Sequence, residues 1–254
     1  MTSNLFDLTG KIALITGGSK GLGKAMARGL AVAGADIIIS SRHEDELKQS
    51  LSEILQGTDR RGCYFVADMS RRAEATKLGQ DALAKMGKVD VLINNAGTNV
   101  PQLTENITDE DWDRVLEINL SSIMALNRAL VPQMKSRRWG RIIHISSIMG
   151  FISKEGRNIY SATKSALIGL ARAGALELGP YGITVNCLAP GPFLTDLPAS
   201  VLSDAEKREF AKRTALDRWG EPNELIGPAL LLASNAGSYI TGETLVVDGG
   251  YLAR

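Results

Sequence analysis

The chain has 254 residues, 44% of them hydrophobic, with a formal net charge of +1 and only two cysteines and two histidines. Near-balanced charge gives no electrostatic footing for a nucleic acid or an anionic membrane surface, and no apolar run approaches the length that spans a bilayer. Cys63 and Cys187 lie far apart in apolar contexts, so free buried thiols are expected rather than a disulfide, and no metal site.

Residues Met1 to Asp7 lack the basic-then-apolar pattern of an export signal, which predicts a cytoplasmic protein. Lys11 to Thr16 is a short apolar run, hence a buried strand. Gly17-Gly-Ser-Lys-Gly-Leu-Gly23 follows, then an alanine-rich helical pattern up to Gly34. Strand, glycine turn and helix make the first half of a βαβ unit. Glycines let a backbone approach a phosphate, and the helix start supplies amide donors. The spacing of Gly17, Gly21 and Gly23 is not the commonest dinucleotide fingerprint, so a turn that merely packs helix on strand is the competing reading.

Ala35 to Ser40 is the second strand. An acid at its end would hold the ribose hydroxyls of NAD. Here stand Ser41 and Arg42, with no acid before Glu44. Arg42 and Lys20 are placed to meet a 2′-phosphate and Ser41 to hydrogen-bond it, which favours NADP over NAD. The alternative is that Arg42 points into water.

Glu44 to Gln56 reads as a helix and Gly62 to Ala67 as the third strand, ending in Asp68-Met69 beside the expected adenine. Ser70 is the expected cap of a helix running to Met86. Val89 to Ile93 is the fourth strand, stopped by Asn94-Asn-Ala-Gly97, which by itself is only a turn signal. Thr108 should cap a long helix whose stripe from Trp112 to Leu126 is core or subunit interface. Asn119, inside that stripe, wants a partner for its amide and marks a function or a helix irregularity. Lys135, Arg137 and Arg138 suit the helix's negative end and are expected to do no more.

Arg141 to Ile145 is the fifth strand, with His144 expected as a hydrogen-bonded core residue. Ser147 stands just past it. Tyr160 and Lys164 share one face of the next helix, so the ammonium is expected to lower the phenol's pKa. Gly182 to Leu188 is the sixth strand, broken by Ala189-Pro-Gly-Pro192, and a substrate lid is expected around 192–216. Glu221 to Ala233 is helical and Thr244 to Asp248 the seventh strand. The alternation predicts an α/β fold: one doubly wound parallel sheet across residues 1–254, with helices on both faces and ligands at the strands' carboxyl ends.

Taken together, Thr16 to Gly23, Asn94 to Gly97, Asn119, Ser147, Tyr160 with Lys164, and Pro190-Gly191 resemble the short-chain dehydrogenase/reductase family, in order and along essentially the whole chain. The resemblance implies a Rossmann-type fold with a seven-stranded parallel sheet, commonly a homotetramer. It implies catalysis by Asn119, Ser147, Tyr160 and Lys164. It also implies cofactor contacts from Gly17, Ser19, Lys20, Gly21, Leu22 and Gly23 in the turn, from Ser41, Arg42, Asp68 and Met69 on the adenosine side, from Asn95, Ala96 and Gly97, and from Tyr160, Lys164, Pro190, Gly191 and Thr195 on the nicotinamide side. The expected substrate is a small carbonyl compound or secondary alcohol. Leu5 to Gly10, Asp111-Trp-Asp113 and Lys212 to Gly220 are similar to the gluconate 5-dehydrogenases. The 3-oxoacyl-carrier-protein reductases are the alternative, weakened because Tyr181 stands where a docking cation would help. A non-catalytic NADP-sensing regulator is the alternative of another class.

Overall fold

The computed structural model describes residues 5–195 and 203–253. Apolar runs bounded by glycine and polar residues form β1 (Ile12–Thr16), β2 (Asp36–Ser41), β3 (Gly62–Val66), β4 (Val91–Asn94), β5 (Gly140–Ile145), β6 (Ile183–Pro190) and β7 (Thr244–Val247). They make one seven-stranded sheet in the order β3-β2-β1-β4-β5-β6-β7, with every neighbouring pair parallel. Parallel strands need a crossover between them, and helices fill that role. These helices are α1 (Gly21–Val32), α2 (Glu44–Leu55), α3 (Arg72–Met86), α4 (Asp109–Leu116), α5 (Ser122–Arg137), α6 (Asn158–Leu178), α7 (Asp204–Lys212) and α8 (Ile226–Ala233). No helix among the described residues is long and apolar enough to cross a membrane.

Two cores flank the sheet. On one face α3, α5 and α6 bury Leu78, Leu126, Leu130 and Leu167 against Leu14, Leu92 and Ile142. On the other, α1, α2 and α8 bury Met26, Leu30, Leu47 and Ala229 against Ile15, Ile39 and Ile143. Central strands β1, β4, β5 and β6 are buried along their whole length, whereas the edge strands β3 and β7 are only half-buried. Cys63 therefore departs from the expected buried thiol: it sits half-buried on an edge, while Cys187 is buried, and both are free.

Other details differ from the sequence reading. Pro190 does not break β6. It pairs with Val247 as the strand's last residue. Ser70 does not cap α3, whose N-cap is Arg71 without a capping side chain; instead the Ser70 amide donates to Asp68 Oδ1 at 2.9 Å. Arg137 does more than answer a helix dipole. With Lys88 it pairs to Asp90, a carboxylate only 1% exposed that also accepts the Ile12 amide at 2.9 Å. Of the expected lid, α7 packs through Phe210 edge-on against Trp219, with ring centres 5.6 Å apart. Residues 196–202 of that lid, Leu197 and Leu202 among them, lie outside the described residues.

Candidate active site

β1 and β4 are neighbours, and their crossovers leave in opposite directions along the sheet. That switch point opens a crevice at the strands' carboxyl ends. The glycine turn lies in it. Gly17 and Gly21 adopt φ +64° and +52°, and a Cβ on Gly23 would stand 2.3 Å from the Gly17 carbonyl oxygen. The turn thus has its sharp shape only with glycine at these places. Asn95 fixes it from β4. Its side-chain amide donates to the carbonyls of Thr16 at 2.9 Å and Gly17 at 3.1 Å, while Thr16 Oγ1 accepts the amides of Asn95 and Ala96, both at 3.0 Å. The Asn95 side chain is therefore spent on the turn. The sequence reading named Thr16 only as the end of the strand and the start of the glycine motif, and gave its hydroxyl no role.

At the start of α1 the N-cap, Lys20, offers no side-chain cap, so the helix's first amides face the crevice without one. Its ammonium pairs with Glu46 at 2.7 Å. The exposed Arg42 makes no ion pair or hydrogen bond among the described residues. It acts with the Ser70 hydrogen bonds and Arg71, against burial, to keep the Asp68 carboxyl below its ordinary pKa. Ser41 and Asp68 end β2 and follow β3 on this same side. Ser19 is buried, and its carbonyl accepts the Ser50 hydroxyl at 2.6 Å. The side chains of Met69 and Leu22 lie in or against the two cores, which leaves the crevice only their backbones. Thr195 approaches from beyond β6: a Cβ on Gly21 would meet its methyl at 3.4 Å. Gly191 has no room for a side chain, because a Cβ would stand 2.7 Å from Asp248.

The second half of the site is built where β5 ends. Ser147 accepts the Met149 amide at 3.1 Å and so starts a short 3-10 turn. Ser146, which the sequence reading passed over, donates its hydroxyl to the Lys164 carbonyl at 2.8 Å and ties α6 to the strand end. Tyr160 and Lys164 lie one turn apart in α6. Ser147 acts on the Tyr160 hydroxyl against the rise that burial imposes on its pKa. Lys164 is 4% exposed, and its ammonium donates to the Ile145 carbonyl at 2.7 Å.

Asn119 completes the group. The long helix expected from Thr108 is interrupted by a π-helical turn at Glu117–Ser121, centred on this residue. Its Oδ1 accepts the Thr98 amide at 2.8 Å, and its Nδ2 donates to the Thr98 carbonyl at 2.9 Å and to Thr163 Oγ1 at 3.1 Å. The Thr163 hydroxyl in turn donates to the Tyr160 carbonyl at 2.8 Å. Gly97 sits beside both: a Cβ there would be 3.4 Å from Lys164 Nζ and 3.5 Å from Asn119 Oδ1. Thr98 and Thr163 are the positioning residues the sequence did not reveal, since their role depends on contacts 21 and 44 residues away from Asn119.

The electrostatics depart from the sequence reading in one respect. Burial drives the Tyr160 pKa up, opposed by the Ser147 hydrogen bond and by Arg157. The depression expected from Lys164 does not prevail over burial. The Lys164 ammonium is turned to the Ile145 carbonyl and stands 5.4 Å from the centre of the Tyr160 ring. Burial also lowers the Lys164 pKa to about 8. Behind it, His144 is held neutral, its pKa lowered by burial and then by Lys164 to about 4.

A hydroxyl able to give or take a proton thus stands beside a second hydroxyl, a cation and a glycine-lined crevice. The family model described as short chain dehydrogenase matches residues 11–206. A 2-dehydro-3-deoxy-D-gluconate 5-dehydrogenase of Dickeya dadantii is 38% identical, with all of both chains covered. A 3-oxoacyl-[acyl-carrier-protein] reductase of Chlamydia muridarum is also 38% identical over 96% of this chain and 98% of its own. Among solved structures, a putative NAD(P)-dependent gluconate 5-dehydrogenase from Beutenbergia cavernae with bound NADP superposes with a TM-score of 0.94. It is 36% identical over 99% of this chain and 100% of that one.

Proposed function

Because the chain belongs to the short-chain dehydrogenase/reductase family of oxidoreductases, we propose that it interconverts a carbonyl compound and a secondary alcohol with NADP(H), through Asn119, Ser147, Tyr160 and Lys164. The observation that carries this reading is the meeting of Tyr160, Ser147 and Lys164 at the end of β5, beside the Gly17–Gly23 turn. The crevice fits a dinucleotide in its own features: a turn whose glycines leave no room for side chains, an uncapped helix start, and an unpaired Arg42. NADP, when bound, supplies or accepts the hydride.

In the reductive direction Tyr160 gives its proton to the substrate oxygen, and in the oxidative direction it takes one. Ser147 donates to that same oxygen and stabilises the charge developing there. Lys164 would hold the nicotinamide ribose of the bound cofactor. Asn119, through Thr98 and Thr163, ties the loop after β4 to α6. Lys20, Ser41 and Arg42 would hold the 2′-phosphate, and a solved relative that holds NADP supports this preference over NAD.

Replacing Tyr160 by Phe should lower turnover by about a hundredfold to ten-thousandfold, in line with the loss of one general acid. NADP binding, read by thermal shift, should persist. Activity near that of the wild type would overturn the assignment. A regulator that senses NADP without turning it over would show no cofactor oxidation with any ketone of a broad panel.

The substrate stands between a sugar acid and a 3-oxoacyl thioester, as two relatives are named. Against the thioester, Arg138 is engaged with the Pro180 carbonyl at 2.9 Å, and Tyr181 beside it lies under Lys135. A homotetramer in the cytoplasm completes the reading, tested by light scattering and cell fractionation.

A further inference from the structure

We propose that Arg157 selects an anionic, hydroxylated substrate by pairing with its carboxylate in the site where Tyr160 meets the reacting oxygen. This rests on the oxidoreductase reading above and adds the substrate class and the residue that reads it.

Arg157 is the residue just before α6, three positions ahead of Tyr160, and its side chain does not cap the helix. A backbone bridge joins it to Gln102, and the Gln102 amide donates to the Gly156 carbonyl at 3.2 Å. The 98–102 segment held in this way is the one whose Thr98 is bound to Asn119. Arg157 therefore stands on the wall between the Tyr160 helix and the Asn119 segment. Three residues apart at the start of α6, Arg157 and Tyr160 are neighbours on one turn of the helix.

What sets Arg157 apart is that its donors are idle. A partly desolvated guanidinium ordinarily has partners, because leaving its five N–H groups unmet is costly. The other sheltered arginines obey this. Arg28 bonds the carbonyls of Ile54 and Gln56, Arg141 bonds those of Gly140, Gly182 and Ser234, and Arg60 pairs with Asp59 and bonds the Gly34 carbonyl. Arg157 is half-buried and makes no side-chain hydrogen bond or ion pair among the described residues. In the segment joined to it, Asn99 Oδ1 and Gln102 Oε1 are buried acceptors without a partner. A planar cation suits a carboxylate, and free carbonyl oxygens suit hydroxyl donors. A polyhydroxy acid carries both. An acyl thioester chain carries no carboxylate. Lys154 is not an equivalent cation. Its ammonium lies 4.8 Å from the centre of the Phe210 ring, in a cleft of about 420 Å³ that also holds the carboxylates of Glu155 and Glu209.

The test measures binding and turnover separately. Calorimetric titration of the NADP-loaded protein with D-gluconate, and with uncharged D-glucitol as the control, should show clear preference for gluconate. In Arg157→Gln that preference should fall by about tenfold to a hundredfold, the size of one lost charged hydrogen-bonding pair, with glucitol binding unchanged. Arg157→Lys should recover part of it, since the charge is kept and the fork is lost. In turnover assays the KM for a keto acid should rise in Arg157→Gln far more than the KM for its methyl ester. An unchanged thermal midpoint and NADP shift in the variant would show that the fold is intact. Equal binding of gluconate and glucitol by the wild type, or equal losses for acid and ester, would overturn the proposal. The Tyr160→Phe result is independent of both, so failure of the reductase reading and failure of the Arg157 assignment are told apart.

Discussion

His144 stands on β5 three residues before Ser147 and has no exposed surface. Its Nδ1 meets the Asn94 amide at 3.1 Å, while Nε2 has no partner among the described residues. Burial, then the nearby Lys164, depresses its pKa to about 4 from an ordinary 6.5. Below pH 6.5 the unfolded chain takes up a proton that the native state refuses, so this residue's stability contribution is present above 6.5 and lost as pH falls towards 4. The shift is worth about 3 kcal/mol. Urea unfolding of the wild type and of His144→Asn at pH 7 and pH 4 should differ in their loss by about that amount, the wild type losing more. Parallel losses would remove His144 as the cause. At this scale the Tyr160–Lys164 pair was legible because a helical period is local. The direction of the Lys164 ammonium was not, because Ile145 lies 19 residues away in another element.

Between Thr108 and Arg137 the apolar stripe announced a long helix, and Thr108 does cap it by accepting the Asp111 amide. The π-helical turn within it was visible only as an asparagine in an unsuitable place. Asn119 is drawn into the interior by three hydrogen bonds to Thr98 and Thr163, and an extra residue in the turn accommodates that reach. Asn119→Ala should therefore cost about 3 kcal/mol of stability, a little under or over 1 kcal/mol for each bond, as well as activity. Chemical denaturation gives the first number. A cost well below 1 kcal/mol would mean that the turn forms without its asparagine. The strands were legible as apolar runs, yet nothing in Gly62 to Val66 announced an edge. Edge position follows from strand order, which is a long-range property, and it leaves Val66 54% exposed.

Across the whole molecule the proposed site residues gather at one end of the sheet, and the ion cluster of Lys88, Asp90 and Arg137 at the other. The first grouping was legible because every crossover in a parallel sheet returns the chain to the same side. The second was not, since Asp90 and Arg137 are joined only by the folded pairing of β4 with β5 and α5. The cofactor end makes its own test. Arg42 is unpaired there, whereas Lys20 is shared with Glu46, an exposed pair of the kind worth at most about 1 kcal/mol. A bound 2′-phosphate would compete with that carboxylate for Lys20 and would be repelled by it. Glu46→Gln should then tighten NADP by about threefold to tenfold, as the removal of one screened like charge predicts, and leave NAD unaffected. Arg42→Ala should weaken NADP by about tenfold or more, again sparing NAD. Binding stabilises the fold in proportion to the logarithm of ligand excess, so thermal midpoints at matched cofactor concentrations report all four affinities. Both substitutions moving NAD and NADP together would show that the 2′-phosphate is not read at Lys20 and Arg42.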